Sequence, residues 1–168
     1  MLRLLSGLAL VAAAGLALGY GLTRPRPLPA ADLAGLTGDP AAGEREFWAS
    51  GCASCHAAPG ATEDDRLVLS GGMRLASPFG TFVAPNISPD PDHGIGGWSL
   101  QDFASAVKRG VSPEGTHLYS AFPDTTFTRM ELQDIADLKV FMYRLPASDR
   151  ANEPHEIGFP FNQRMRLG

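Results

Sequence analysis

Two cysteines and a histidine fall within five residues in the stretch GCASCHAAPG, as Cys52, Cys55 and His56, and the chain has no other cysteine. Four chemistries use cysteines at this spacing. A disulfide would suit an exported compartment. A thioredoxin-type dithiol needs the pair at the start of a helix inside a βαβ unit, and no strand precedes Cys52. A structural zinc site wants four ligands, which this cluster reaches only by recruiting His93, His117 or His155. Cys-x-x-Cys followed at once by His is the specific signature of covalent haem attachment. The two thiols add to the vinyl groups on one porphyrin edge, and the histidine beside the second thioether lies under the iron. The motif predicts one haem c, tethered by Cys52 and Cys55 with His56 as proximal iron ligand.

The elements that must position these residues are partly readable. Asp39 and Pro40 offer a helix cap and a first-turn proline, and AAGEREFWAS continues as a helix to Gly51, just before the motif. Residues 57–97 are dense in Gly, Pro, Asp and Ser without sustained periodicity. A loop of that length argues against a packed domain unless something other than protein fills the core. Ser99 and Asp102 resemble a capping box for a helix ending at Gly110. In ELQDIADLKVFMYRL, the residues Leu132, Ile135, Leu138, Phe141 and Met142 recur at helical spacing, and Pro146 stops the run. The tail from 146 is irregular, with Phe159 and Phe161 expected to pack back on the body.

At 168 residues there is room for one domain of ordinary size plus accessory sequence. The 14 Lys and Arg against 18 Asp and Glu give a net charge of −4, and Lys108 and Lys139 are the only lysines. No basic stripe exists to neutralise phosphates, so nucleic acid is not an expected partner. Residues 38–168 hold 11 basic and 17 acidic side chains, a net of −6. The runs Glu63 to Asp65 and Pro89 to Asp92 read first as solvated faces, and otherwise as steering charge for a basic partner.

Residues Leu4 to Leu22 carry no charge, and their 19 residues span roughly 28 Å as a helix, close to a bilayer core. The readings are a signal peptide cut after Ala17-Leu18-Gly19, or a retained signal anchor. The anchor is favoured because the apolar run continues past that cut and exceeds the roughly 7 to 15 residues of a signal core. The expected organisation is a transmembrane signal anchor over 1–22, a Pro-rich tether over 23–37, and a haem domain over 38–168.

From about Asp39 to Leu145 the stretches GEREFWASGCASCH, SPFGTFVAPNISPDPDHGIGGWSLQDFASAVKRGVSPEGTHLYSAFP and FTRMELQDIADLKVFM carry a family likeness. The chain resembles exported mono-haem and multi-haem cytochrome c proteins that serve periplasmic dehydrogenases, including the membrane-bound alcohol and aldehyde dehydrogenases. The resemblance implies an all-α class I cytochrome c fold with long haem-wrapping loops, plus the membrane helix. It implies that the first and last body helices cross, with Gly43 allowing close approach and Phe47 packing on Phe141 or Tyr143.

For the sixth iron position a methionine thioether is the usual choice, because it raises the reduction potential. Met142 sits on the apolar stripe of the last helix, and Met165 lies beside two arginines. The resemblance puts Met73 in a proximal-side loop and Met130 where the chain crosses the distal face, so Met130 is the expected ligand. Relatives of the alcohol dehydrogenase type often have methionine in the segment matching SAFPD, where this chain has Phe122. Ligation by His93 or His117, or an open position, are the alternatives. Trp98, Asn86 and Arg74 are candidate donors to the haem propionates or pocket, and equally readable as loop structure. Phe79, Phe82, Ile87, Ile95, Leu118 and Phe127, with Phe122, form the expected apolar wall.

These residues predict a one-electron carrier on the periplasmic side of a bacterial inner membrane, held by a single pass. It would relay electrons from a dehydrogenase or another cytochrome to a respiratory acceptor, either another cytochrome or a terminal oxidase. Without the anchor it would be soluble in the periplasm. No carboxylate pair, nucleophile triad or second metal cluster suggests an enzyme. The alternative is a haem enzyme or gas-binding sensor with an open sixth position, and a third reading is an assembly subunit.

Overall fold

The computed structural model describes residues 2–119 and 124–163, so Phe122 and Met165 lie outside the described residues. Helix α1 (Leu2–Thr23) is followed by α2 (Pro40–Ser50), α3 (Cys52–His56), the strands β1 (Arg74–Ser77) and β2 (Gly80–Val83), α4 (Leu100–Arg109), α5 (Asp124–Phe127), α6 (Leu132–Met142) and β3 (Glu156–Ile157). Leu5–Thr23 of α1 is long and apolar enough to cross a membrane, and its leucines are exposed. A helix that buries no leucine against protein needs another apolar surrounding, which an anchor and a signal sequence both find in lipid.

The body is built on the crossing of α2 and α6. Asp39 caps α2 by accepting from the Ala41 N–H, Pro40 occupies the first turn, and Gly51 at φ 69° closes it. A Cβ on Gly43 would overlap the Asp137 carbonyl and the Phe141 side chain, so only glycine lets the two backbones approach this closely. Phe47 is fully buried there, with its ring centroid 5.3 Å from that of Phe141. The buried Asp137 is satisfied, its Oδ1 accepting from the Asp39 N–H at 2.8 Å and from Gln133 Nε2 at 2.7 Å. Helix α4 has the Ser99/Asp102 capping box, ends at Gly110 with φ 58°, and buries Phe103, Ala104 and Ala106.

The chain is helix-rich, with a short sheet beside the helices. Within the segment expected to be loop, β1 pairs antiparallel with β2 in the register Arg74↔Val83 to Ser77↔Gly80, and β3 from the tail pairs with the far edge of β2. The turn is Ser77-Pro78-Phe79-Gly80, in which the proline presets φ and the Ser77 hydroxyl donates to the Gly80 carbonyl at 2.7 Å. Four-residue strands are too short to show a period, and the third strand arrives from some 75 residues away.

The expected tether is not free either. Leu28 and Leu33 are buried in the main core cluster. Leu28 donates its N–H to Ser105 Oγ at 2.9 Å and accepts from Gln101 Nε2 at 2.8 Å. Arg109 donates to the Arg26 and Pro27 carbonyls at 3.3 and 3.2 Å. Prolines hold the chain up to Pro29 extended, a single 3-10 turn over Ala30–Leu33 follows, and the two leucines reach the core to make the stretch a strap over the body. In the tail, Phe161 stacks on Phe79 with centroids 4.7 Å apart, whereas Phe159 is 82% exposed and does not pack back.

Candidate functional site

Gly51, in a left-handed conformation, ends α2 and opens α3, so the five residues of the motif form one short helix turned off the end of α2. Cys52 and Cys55 are free thiols and partly buried, with Cys52 against the main core cluster. Burial pushes the Cys52 thiol up to about 11. A thiol in that state is not the poised thiolate that dithiol exchange requires. Among the described residues no three His, Cys, Asp or Glu side chains converge to hold a metal ion, so a zinc site recruiting a distant histidine is not assembled.

His56 Nδ1 lies 2.8 Å from the Pro85 carbonyl oxygen. A carbonyl only accepts, so Nδ1 carries the proton and Nε2 keeps its lone pair free. Burial lowers the His56 pKa, which favours the neutral imidazole that can ligate a metal. The His56 carbonyl accepts from the Gly71 N–H at 2.7 Å. Two cysteines and a neutral imidazole with one open nitrogen, all on one short helix beside an apolar cluster, fit a haem c.

Met130 is partly buried and borders the same core cluster as Cys52, immediately before α6. Its carbonyl accepts from Lys108 Nζ, and its N–H donates to the Phe127 carbonyl at 3.1 Å. Met142 is 2% exposed within the core, and Met73 is exposed. His93 faces Asp90, its Nδ1 3.6 Å from the carboxylate, and His117 Nε2 lies 2.9 Å from the Thr23 carbonyl. Both histidines thus have protein partners outside the cluster.

Of the three expected pocket donors, two are committed elsewhere. Asn86 is buried; its amide donates to the Ser148 and Arg150 carbonyls at 2.8 and 2.9 Å, and its Oδ1 accepts from the Ser88 N–H at 2.9 Å. With both donors spent, it is a brace rather than a propionate donor. Arg74 lies on the surface, paired with Glu156 and, at 3.5 Å, with Glu153. Trp98 packs its ring on the core cluster, and its carbonyl accepts from the Tyr143 hydroxyl at 3.0 Å. The expected wall divides. Ile95 and Phe127 are buried and Ile87 borders the core, but Phe79 and Leu118 are exposed. Phe82 stacks instead with Tyr119 and His155, at 5.2 and 5.6 Å.

Pro85 and the tail were not read as parts of the site from sequence. Pro85, which orients His56, is 29 residues from it, and the tail residues Ser148, Arg150, Asn152 and His155 sit in a stretch without periodicity.

No family model matches the chain. A "Diheme cytochrome c-type" protein of Cereibacter sphaeroides is 61% identical over 165 residues, 98% of this chain and 55% of the relative. The cytochrome c subunit of a quinone alcohol dehydrogenase from Gluconobacter oxydans is 35% identical over 120 residues, 71% of this chain and 24% of the relative. The cytochrome subunit of fructose dehydrogenase from Gluconobacter japonicus is 32% identical over 121 residues, again 71% and 24%. The chain spans about half the length of the first of these relatives and about a quarter of the others.

Proposed function

The chain is a relative of the c-type cytochromes that serve dehydrogenases, and from that premise we propose that it carries one covalent haem c and passes single electrons between a dehydrogenase and a respiratory acceptor. It is an electron-transfer protein and not itself the catalyst, as the cytochrome subunits it resembles are. The observation that carries the reading is the state of His56, a neutral imidazole whose Nδ1 is held by the Pro85 carbonyl and whose Nε2 is left to bind iron. A bound haem supplies a one-electron iron couple whose potential is set by its axial ligands and surroundings.

The chain's own groups do the rest. Cys52 and Cys55 supply two thiols to fix one porphyrin edge, and Met130 supplies a thioether beside the same cluster. Ile95, Leu69 and Phe103, all buried, keep water from that cluster, which favours the less charged form of the iron. The fold intended is the class I cytochrome c arrangement, supported by the crossing of α2 and α6. A single haem is inferred because the 168 residues hold one Cys-x-x-Cys-His motif, although a relative of 61% identity is described as diheme. α1 is read as a membrane anchor that keeps the haem domain in the periplasm.

The test is a potentiometric titration of the chain purified from a host that attaches haem in its periplasm. The reading expects a reversible one-electron curve with ferric and ferrous low-spin spectra. A high-spin ferric spectrum that takes up added ligands would turn it toward an enzyme or gas sensor.

A further inference from the structure

Pro85 is held from both sides by the tail. Two residues before it, the Val83 N–H donates to His155 Nδ1 at 3.0 Å; directly after it, the Asn86 N–H donates to Asn152 Oδ1 at 2.6 Å. The Asn86 side chain is buried and gives both amide protons to tail carbonyls, those of Ser148 and Arg150. Ser88 and Ser148 add a further pair, with the Ser148 N–H donating to Ser88 Oγ at 3.0 Å. From beneath, Arg150 donates to the Gly71 carbonyl at 3.3 Å. Gly71 is in contact with Pro85 itself, since a Cβ there would stand 2.6 Å from the Pro85 oxygen. Gly71 also gives its N–H to the His56 carbonyl. The tail therefore closes a ring of hydrogen bonds around the one carbonyl that orients the imidazole.

We propose that the tail segment 148–155 is a clamp that sets the strength of the His56 Nδ1 hydrogen bond to Pro85, with Asn152 and Asn86 as its positioning residues. The inference rests on the haem reading for its redox consequence and on the geometry alone for the bond. A firmly held acceptor draws the Nδ1 proton and makes the imidazole a stronger donor at Nε2, which stabilises ferric iron. Releasing Asn152 frees the Asn86 N–H and lets the Pro85 carbonyl drift, so the bond weakens and the potential rises. Asn152 is exposed, so its replacement leaves the core intact.

The experiment uses the full haem-loaded chain and two variants. Asn152→Ala should shift the reduction potential to more positive values with haem content and sixth-ligand spectrum unchanged, and should speed exchange of the His56 Nδ1 proton with deuterium several-fold by NMR. Asn152 also donates its Nδ2 to the His93 carbonyl at 2.9 Å; Asn152→Asp keeps the Oδ1 acceptor and loses that donor, and should keep the His56 proton slower to exchange than Asn152→Ala does. Unchanged potential and exchange in Asn152→Ala, or exchange in Asn152→Asp as fast as in Asn152→Ala, would overturn the clamp. Should Asn152→Ala not fold, the unmutated chain decides. Across a denaturant series its His56 Nδ1 proton and Asn86 amide should exchange through one common opening; ring exchange with Asn86 still protected would sink the proposal. A chain without covalent haem would defeat the functional reading separately, while the exchange measurement would still judge the clamp.

Discussion

At the scale of single residues the two ring nitrogens of His56 have separate tasks. Its Nδ1 is occupied by the Pro85 carbonyl, so chemistry is left to Nε2. The proposed opposite ligand is the Met130 thioether, which borders the same core cluster as Cys52; Met130→Ala is expected to abolish the thioether-to-ferric-iron charge-transfer absorption and lower the reduction potential. An unchanged spectrum would remove Met130 from the site. The haem motif was legible in the sequence because its chemistry is contained in five consecutive residues. Pro85 was not, because a backbone carbonyl has no signature of its own and its meaning comes from a partner 29 positions away. Asn86 and Arg74 stayed open between a propionate role and loop structure for the same reason. Their types fit a propionate, but their donors are spent on Ser148, Arg150, Glu153 and Glu156.

At the scale of elements, the helices were readable from caps and stripes and the sheet was not. Capping is a local event, written at Asp39, Ser99 and Asp102, whereas a third strand from the tail is a distant pairing that no local pattern announces. The α2–α6 crossing makes a sharp prediction. Gly43→Ala places a methyl inside the Asp137 carbonyl and should cost about 3 kcal/mol or more in chemical denaturation. Gly158→Ala, with open space around it, should stay within about 0.5 kcal/mol. The loop before α4 is tied to the end of α6 by the Tyr143 hydroxyl, whose single proton is shared between the Ile95 and Trp98 carbonyls. Tyr143→Phe should lower stability by about 1–2 kcal/mol. Burial raises the Tyr143 pKa from 10.0 to about 12. The group favours its neutral form more in the folded state than in the unfolded. Its contribution is therefore complete below pH 10 and is lost as the pH rises through 12, an alkaline decline that Tyr143→Phe should lack.

At the scale of the whole molecule, an apolar helix leads through a docked strap into the body. The strap holds the exit of α1 against α4 through Leu28, Arg26 and Pro27, and His117 meets the last turn of α1 at Thr23. The full chain should accordingly remain with membranes through an alkaline wash and be released by detergent. Release by the wash alone would assign α1 to a cleaved signal. The proposed electron transfer depends above all on a covalent haem within residues 51–60. The direct measurement is the intact mass of the chain from a haem-attaching host, followed by mapping of the peptide that contains Cys52 and Cys55. The expected mass exceeds that of the polypeptide by one haem, located on that peptide; a bare polypeptide with two free thiols, or with a disulfide between them, would contradict the haem assignment.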